Sequence, residues 1–284
     1  MRIVFVTTKF DFETGGGSSP ELDLKIRALK ELGNEVSAVT AFSQNNRGLQ
    51  PASYPIFNEF IGTSGQLAIA IGVFRILKKF ASKAEIFHVD GVVFFYGAGL
   101  YRFFGGKIPV IAHFNRELVW FPDARAPRPG SLLNRLRFFL ERSLGVFLAN
   151  FADAFTFTSP LLKTAYNNFG LAAEKSAVIR DFIDSNSFPE KTGERAKSWI
   201  VTMLCSGRMV WEKGFDIVLR AFGALLDKKR FRLILSGDGP ERKNLEKLAA
   251  ELGVGEFVSF PGWVSNEKFL DFLRSTDIVI LPPW

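Results

Sequence analysis

Short apolar runs alternate with longer segments of helical period along the chain, and this alternation limits the fold more than any other feature. In the first part of the chain the runs of strand length are Ile3 to Thr7, Glu35 to Thr40, Glu85 to Val89, Pro109 to His113, Ala154 to Thr158 and Ser176 to Ile179. Strands that are joined by helices pair in parallel, because each crossover returns the chain to the same edge of the sheet. The sequence therefore predicts an α/β fold with parallel sheets.

A polar segment from Pro189 to Ser198 interrupts this alternation and is typical of a linker. After it, the predicted strands are Trp199 to Cys205, Phe231 to Ser236, Phe257 to Phe260 and Ile278 to Leu281. The predicted helices between them run from about Gly214 to Asp227, Glu241 to Leu252 and Asn266 to Arg274. With 284 residues the chain is long enough for two cores, since single cores stop growing near about 250 to 300 residues. We therefore expect two domains, residues 1–190 and 191–284.

The second predicted domain finishes on a strand, and only Pro282, Pro283 and Trp284 follow it. A doubly wound sheet that stops on a strand lacks the helix that covers the last strand's apolar face. We therefore expect this chain to be the first part of a longer protein. A natural end at Trp284 would instead leave an apolar face open to a partner or to aggregation.

Composition excludes several classes of protein. Hydrophobic residues make up 47% and charged residues 23%, as in folded globular proteins. The longest apolar stretch, Leu67 to Phe74, is much shorter than the roughly 18 residues that span a bilayer, and Met1 to Thr7 is too short for a signal peptide. The net charge of +7 favours phosphate groups or an anionic membrane surface as partners. The single cysteine, Cys205, lies in an apolar run, which predicts a buried thiol in a reducing compartment.

The first predicted strand leads into a glycine loop, Gly15, Gly16 and Gly17, and then into a helix from about Pro20 to Leu32. Glycines let the backbone approach a ligand closely, and a helix N-terminus attracts anions. A phosphate or a sugar hydroxyl suits such a loop, and so does an unliganded flexible turn. The dinucleotide-binding fingerprint is absent, because Pro20 stands where its third glycine is required and the second strand is followed by no acidic residue.

The segment from Ser206 to Gly214 joins the first strand of the second domain to its first helix and contains Arg208 and Lys213. Ligands of open α/β sheets bind beyond the carboxyl ends of the strands. Two cations and a helix N-terminus would converge there on a diphosphate. The alternative is that both are ordinary surface cations, with Lys213 paired to Glu212 or Asp216.

The chain has only two histidines, and each is predicted near the end of a strand. Both are candidates for a catalytic residue, and the resemblance described below makes His113 the stronger candidate and His88 the weaker one. A lone histidine at a strand end is more often structural, and this alternative stays open on the residues alone.

Several linked motifs resemble glycosyltransferase family 4, the group 1 glycosyltransferases. In the second half these are Gly207-Arg208 with Lys213-Gly214, Gly237-Asp238-Gly239-Pro240, Val258 to Val264 and Thr276 to Pro282. In the first half they are the glycine loop, Leu29 to Val36, Ile108 to His113, Ala152 to Ser159 and Val178 to Asp184. The resemblance covers nearly the whole chain.

The resemblance implies a GT-B fold, in which two Rossmann-like domains face each other across a cleft, with the second domain incomplete here. Members of the family transfer a sugar, with retention of configuration, from a nucleotide diphosphate sugar and usually need no metal or other cofactor. By the same resemblance Arg208 and Lys213 bind the donor diphosphate. The backbone near Trp263 and Val264 contacts the base, His113 contacts the reacting sugar, and the glycine loop lies at the cleft.

One departure concerns a pair of glutamates, with seven residues between them, that the family places after the strand that finishes here at Leu281. Both are absent, so we expect this chain alone to hold the donor poorly. A non-catalytic nucleotide-sugar-binding module and a sugar-nucleotide epimerase remain alternatives to a transferase, although the segment from Ser206 to Gly214 disfavours the epimerase.

The expected partners are a nucleotide sugar and a carbohydrate or lipid-linked acceptor of the cell envelope, and no nucleic acid. The aromatic and basic stretch from Phe114 to Arg142 is compatible with contact to an anionic membrane and equally with a solvated helix face. We expect a cytoplasmic protein, with the inner face of the membrane as its site of peripheral attachment if this contact forms.

Overall fold

The computed structural model describes residues 1–13, 18–48, 53–62, 65–91, 94–115, 143–181, 183 and 199–282. The chain divides into two compact units, Met1–Ile183 and Asp184–Trp284. The predicted division after residue 190 falls later, inside residues 184–198, which lie outside the described residues.

The first unit contains a seven-stranded sheet in which every pairing is parallel. Its strands are β1 (Arg2–Thr7), β2 (Glu35–Thr40), β3 (Ile56–Asn58), β4 (Ile86–Asp90), β5 (Val110–Phe114), β6 (Ala154–Phe157) and β7 (Ser176–Val178). Their order across the sheet is β3-β2-β1-β4-β5-β6-β7. The order reverses at β1, so this is a doubly wound sheet of the predicted α/β class.

Helices cover both faces of this sheet. They are α1 (Ser18–Glu31), α2 (Gln66–Phe80), α3 (Phe95–Phe103) and α4 (Pro160–Asn168), with a further helical segment over residues 143–149. Alternate residues of β1 pack on opposite sides, as the twofold period of a strand requires. Phe5 packs with Leu22 and Ile26 of α1, whereas Val6 packs with the cluster that includes residues of α2 and α3.

The six strands predicted for this unit are confirmed to within two residues at their ends, but the sequence missed β3. It has only three residues, none of them buried, so it leaves no apolar run to detect. Helix α1 begins at Ser18 rather than near Pro20. The hydroxyl of Ser19 accepts a hydrogen bond from the Asp11 amide at 2.9 Å, which ties the end of β1 to the first turn of α1.

The second unit contains a four-stranded parallel sheet with the order β10-β9-β8-β11. Its strands are β8 (Val201–Ser206), β9 (Phe231–Ser236), β10 (Val258–Gly262) and β11 (Ile278–Val279). Its helices are α5 (Phe215–Gly223), α6 (Arg242–Glu251) and α7 (Asn266–Ser275), and a short 3-10 turn, Trp211–Lys213, precedes α5. Cys205 is buried in the core of this unit, and burial raises its pKa to about 11, which confirms the predicted buried thiol.

The predicted helix from Gly214 to Asp227 is shorter in the structure and ends at Gly223. Leu226, which lies within the predicted helix, is fully exposed. In the part of the chain that the structure describes, no helix has the length and apolar character needed to cross a bilayer.

Candidate functional site

Polar side chains form a row across the carboxyl-terminal edge of the first sheet. Residues in register on adjacent strands are, in sheet order, Asn58, Thr40, Thr7, Asp90, His113 and Thr156. All except Asn58 are buried. Residues in register point to the same face of a parallel sheet, and Thr7 shares its face with Phe5, which packs against α1. This polar row therefore lies on the α1 side, at the edge where α/β proteins bind ligands.

His113 lies in this row, as the penultimate residue of β5, and is 3% exposed. Its Nδ1 is 2.8 Å from the Thr156 hydroxyl, and its Nε2 is 3.4 Å from Nζ of Lys25. Burial and then the nearby Lys25 charge lower the pKa of His113 from its ordinary 6.5 to about 3. The imidazole is therefore neutral at physiological pH.

His88, the weaker candidate, lies in β4 below the polar row. Its ring packs against Phe5 at 4.7 Å and against the His113 ring at 5.5 Å, measured between ring centroids. Burial, followed by the charges of Lys25 and His113, holds the pKa of His88 well below 6.5. Its Nδ1 is buried and has no hydrogen-bond partner among the described residues. His88 thus lies under the site rather than at its surface.

Helix α1 brings an ion pair to His113. Lys25 Nζ is 3.0 Å from the carboxylate of Glu21, one helical turn earlier, and the two side chains are only 11% and 12% exposed. The same ammonium faces His113 Nε2. Lysine and glutamate side chains are rarely this buried unless they are paired. We therefore regard this ion pair as an integral part of the site.

Three potential metal ligands meet at the same place. Glu21, His113 and Asp181 each offer a ligand atom, and these atoms lie within 4.8 Å of one another. The ammonium of Lys25 already contacts two of the three. A divalent cation bound there would have to displace this ammonium, whose charge balances that of Glu21.

The glycine loop, Gly15, Gly16 and Gly17, lies outside the described residues. The stretch from Phe114 to Arg142, the candidate for membrane contact, is described only at Phe114 and Asn115. Phe114 is fully buried among aromatic rings, so it belongs to the core.

In the second unit, three loops meet at the carboxyl-terminal edge of the sheet, following β8, β9 and β10. Backbone hydrogen bonds join them: the Met209 amide donates to Asp238 at 2.8 Å, and the Gly237 amide donates to Gly262 at 2.8 Å. The turn at Gly237-Asp238-Gly239-Pro240 precedes α6, which begins at Arg242, so Pro240 lies before the helix rather than in its first turn. The three loops form one connected backbone surface.

Arg208 and Lys213 both lie at this edge, and both are exposed. The ion pairs within the described part of the second unit involve Arg242, Lys247 and Arg274. Lys213 thus pairs with neither Glu212 nor Asp216, so one form of the surface-cation alternative is not seen among the described residues. Gly214 adopts a left-handed conformation, φ 61°, between the turn that carries Lys213 and the start of α5.

Trp263 and Val264 follow β10 at the same edge. Trp263 is 43% exposed and Val264 is half-buried. The adjacent Gly262 carbonyl accepts the bond from Gly237, so this segment is held next to the loop after β9. The edge therefore brings together the residues predicted for the diphosphate and the base. Nothing further in the geometry tests the individual roles, which stay predictions.

Sequence reasoning missed Glu21, Lys25, Thr156 and Asp181. Glu21 and Lys25 have the spacing of an ordinary exposed helical ion pair, so nothing in the sequence separated them from a solvated face. Thr156 lies within the predicted strand from Ala154 to Thr158, but the prediction assigned it no role in the site. Its place beside His113 depends on the register between β5 and β6, which no local pattern reveals.

Comparisons with known proteins agree with this architecture. A family model described as Glycosyltransferase Family 4 matches residues 22–187, and one described as Glycosyl transferases group 1 matches residues 177–283. An uncharacterized glycosyltransferase of Methanocaldococcus jannaschii is 32% identical over 80 residues, which are 28% of this chain and 20% of that protein. A lipopolysaccharide core biosynthesis glycosyltransferase of Rhizobium meliloti is 38% identical over 79 residues, 28% of this chain and 22% of that protein. The matched segments thus span about a fifth of these relatives.

The fold is also similar to that of a solved Anabaena protein, HepE in complex with UDP. The TM-score is 0.68 and the identity 20%, over 98% of this chain and 73% of that chain. At this identity the likeness establishes the fold alone. The family 4 model covers more than half of this chain, and the chain therefore belongs to glycosyltransferase family 4, with the α/β architecture of the GT-B enzymes.

Proposed function

We propose that this chain supplies the acceptor-side unit and the diphosphate-binding part of a retaining glycosyltransferase. The enzyme transfers a sugar from a nucleoside diphosphate sugar to a carbohydrate or lipid-linked acceptor. Family membership supports the reaction class. The observation that carries the proposal within this chain is the exposed pair Arg208 and Lys213, which has no carboxylate partner in the described part of the second unit.

The two cations have a clear electrostatic task in this reaction. Negative charge grows on the departing diphosphate as the bond from the sugar's anomeric carbon breaks. Fixed cations stabilise that charge more in the transition state than in the ground state. Lys213 is the last residue of the 3-10 turn that precedes α5, and Arg208 lies just before that turn. The N-terminal amides of α5 add further positive potential.

His113 has a different task because it is neutral. A neutral imidazole positions a sugar through a directional hydrogen bond and adds no charge to the site. The pKa of about 3 makes the imidazolium form too rare at neutral pH for His113 to act as a strong acid. We therefore assign His113 to holding the reacting sugar in a productive orientation.

We further propose that the reaction needs no metal ion. Arg208 and Lys213 supply the positive charge that a metal would otherwise bring to the diphosphate. The curated relative from Rhizobium meliloti is named for lipopolysaccharide core biosynthesis, and the Anabaena structure contains UDP. These names support a uridine diphosphate sugar as donor and a lipid-linked saccharide at the cytoplasmic face of the membrane as acceptor. The stretch from Phe114 to Arg142 is the proposed membrane contact.

Isothermal titration with UDP tests the anion site directly. Arg208→Ala and Lys213→Ala should each weaken binding about tenfold or more, since a hydrogen bond to a charged group contributes about 1.5 to 3 kcal/mol. The matched control is Lys229→Ala, because Lys229 is exposed but precedes β9 at the opposite edge of the sheet. Equal affinity for UDP in all four proteins would exclude Arg208 and Lys213 as the diphosphate site.

Product analysis tests the reaction itself. Incubation with a labelled donor and a saccharide acceptor should give a new glycosidic bond with the donor's anomeric configuration, without added metal and in the presence of a chelator. An epimerised nucleotide sugar would identify an epimerase instead. Tight UDP binding without any transfer would favour the non-catalytic binding module.

A further inference from the structure

The contact between Lys25 and His113 determines which nitrogen of the neutral His113 ring carries the proton. A lysine ammonium has three donors and no acceptor, so at the 3.4 Å contact with Nζ it is His113 Nε2 that accepts. A proton on Nε2 would instead set two donors against each other. In a neutral imidazole one nitrogen carries the proton, and that nitrogen is therefore Nδ1. Its partner at 2.8 Å is the Thr156 hydroxyl, which then accepts from Nδ1.

The groups around His113 come from every element packed against it. Glu21 and Lys25 project from α1. On β4, His88 lies below the ring and the buried Asp90 is in register with His113. Thr156 lies on β6, and Asp181 follows β7. Of these, only Lys25 brings a positive charge to Nε2, and the Glu21 carboxylate at 3.0 Å keeps the ammonium in place.

We propose that Lys25 is a positioning residue for His113: anchored by Glu21, its ammonium fixes the imidazole as the Nδ1–H tautomer and leaves Nε2 as an acceptor. A substrate hydroxyl that reaches Nε2 replaces the ammonium as donor without a change of tautomer. The Lys25 ammonium stays paired with Glu21 when the hydroxyl takes its place at Nε2, so no buried charge is left without a partner. The site is thus set in advance to accept from a hydroxyl and to reject a group that has only acceptors. This use of Nε2 rests on the proposed function, whereas the tautomer does not.

Nitrogen NMR of the two imidazole rings tests the tautomer without any activity measurement. Histidine signals from wild-type protein and from His88→Phe assign the His113 ring, since the chain has only two histidines. Wild-type His113 should show a protonated Nδ1 and an unprotonated Nε2. Lys25→Met should mix the two tautomers and raise the pKa of the ring, while Lys25→Arg should preserve the Nδ1–H form.

Two further variants make this measurement decisive. Lys30→Met removes the same charge from an exposed position on the same helix and should leave the His113 signals unchanged. Glu21→Gln keeps the shape of the Glu21 side chain but removes its charge. It should therefore give a mixture of the two His113 tautomers, and it provides the test even if Lys25→Met fails to fold. A wild-type ring protonated at Nε2, or a Lys25→Met or Glu21→Gln ring identical to wild type, would overturn the proposal.

Sugar transfer then separates this inference from the proposed function. Lys25→Met should lower kcat about tenfold to a hundredfold through misplacement of the ring, with UDP affinity unchanged and with rescue by Lys25→Arg. If Lys25→Met shifts the tautomer while His113→Ala transfers sugar at the wild-type rate, the positioning role of Lys25 stands. In that case the assignment of His113 to the sugar fails. If His113→Ala is inactive while the His113 ring of Lys25→Met is unchanged, the assignment of His113 to the sugar stands. The positioning role of Lys25 then fails.

Discussion

Gly237→Ala should destabilise the second unit strongly, although it adds a single methyl group at a turn. Gly237 follows β9 and has φ 124°, and an added Cβ would lie 1.9 Å from the carbonyl oxygen of Gly207. No side chain can relieve this contact by rotating, because the opposing atom belongs to the backbone. The loops after β8 and β9 would have to separate.

The cost can be worked out in two parts. A non-glycine residue in this backbone region costs about 1 to 3 kcal/mol. Separation also strains the bonds from Gly207 to Ser236 at 3.0 Å and from Gly237 to Gly262 at 2.8 Å, each contributing about 1 kcal/mol. We therefore expect a loss of about 3 to 5 kcal/mol in the free energy of unfolding, together with weaker UDP binding.

Two other glycines of the second unit provide control substitutions for the expected loss of stability in Gly237→Ala. Gly253 has φ 65° with nothing within 4 Å of an added Cβ, so Gly253→Ala should cost only the left-handed strain of about 1 to 2 kcal/mol. Gly255 has open space and no positive φ, so its alanine variant should lie within about 0.5 kcal/mol of wild type. Urea unfolding followed by tryptophan fluorescence ranks the three variants. A cost for Gly237→Ala no larger than that for Gly253→Ala would refute the reasoning.

Three further predictions concern the cores and the histidines. His88 and His113 stay neutral in the folded chain but protonate near pH 6.5 when unfolded, so their contribution to stability is complete above that pH and is lost as the pH falls toward their lower folded pKa values, which for His113 is about 3. Between pH 7.5 and 5 the loss from His113 should be about 2 kcal/mol in urea unfolding, and His113→Asn should show a correspondingly smaller decrease; equal decreases would contradict the depressed pKa. Phe114→Ala should cost about 3 to 5 kcal/mol by the same assay, because Phe114 is fully buried, whereas Phe147→Ala, at a 54% exposed side chain, should cost much less. Cys205 should resist a thiol reagent at pH 8 until urea unfolds the second unit, since its thiol is buried with a pKa of about 11; rapid labelling of the native protein would argue against that packing.

Much of the fold was predictable because the strands are continuous apolar runs between turn residues. The limits of β2 and β9 agree with the prediction at both ends, and glycines mark the neighbouring turns. Prediction failed where tertiary contacts override the local pattern. The three residues of β3 depend on pairing with β2 rather than on their own hydrophobicity. Helix α5 ends at Gly223, although apolar residues continue beyond it.

The candidate site was only partly predictable, for a related reason. His113, Arg208 and Lys213 follow or end strands, and parallel strands bring their carboxyl ends to one edge, so local sequence was enough to find them. Lys25 reaches His113 across 88 residues of chain. That contact depends on the order of β1, β4 and β5 in the sheet, which the local sequence pattern did not predict.

The two units use the same edge of a parallel sheet for opposite electrostatic purposes. In the first unit the polar row is buried apart from Asn58, its His113 is neutral, and the Lys25 ammonium beside His113 is paired with Glu21. Such a site can orient a neutral sugar, but it cannot compensate the negative charge of a diphosphate leaving group. In the second unit Arg208 and Lys213 are exposed on loops joined through their backbones. Because those cations form no ion pair within the described second unit, their charge is available to an anion without first breaking an internal contact. Under the proposed function, recognition of the sugar and stabilisation of the diphosphate therefore need different residues, and each unit carries a set with the charge that one of these proposed tasks requires.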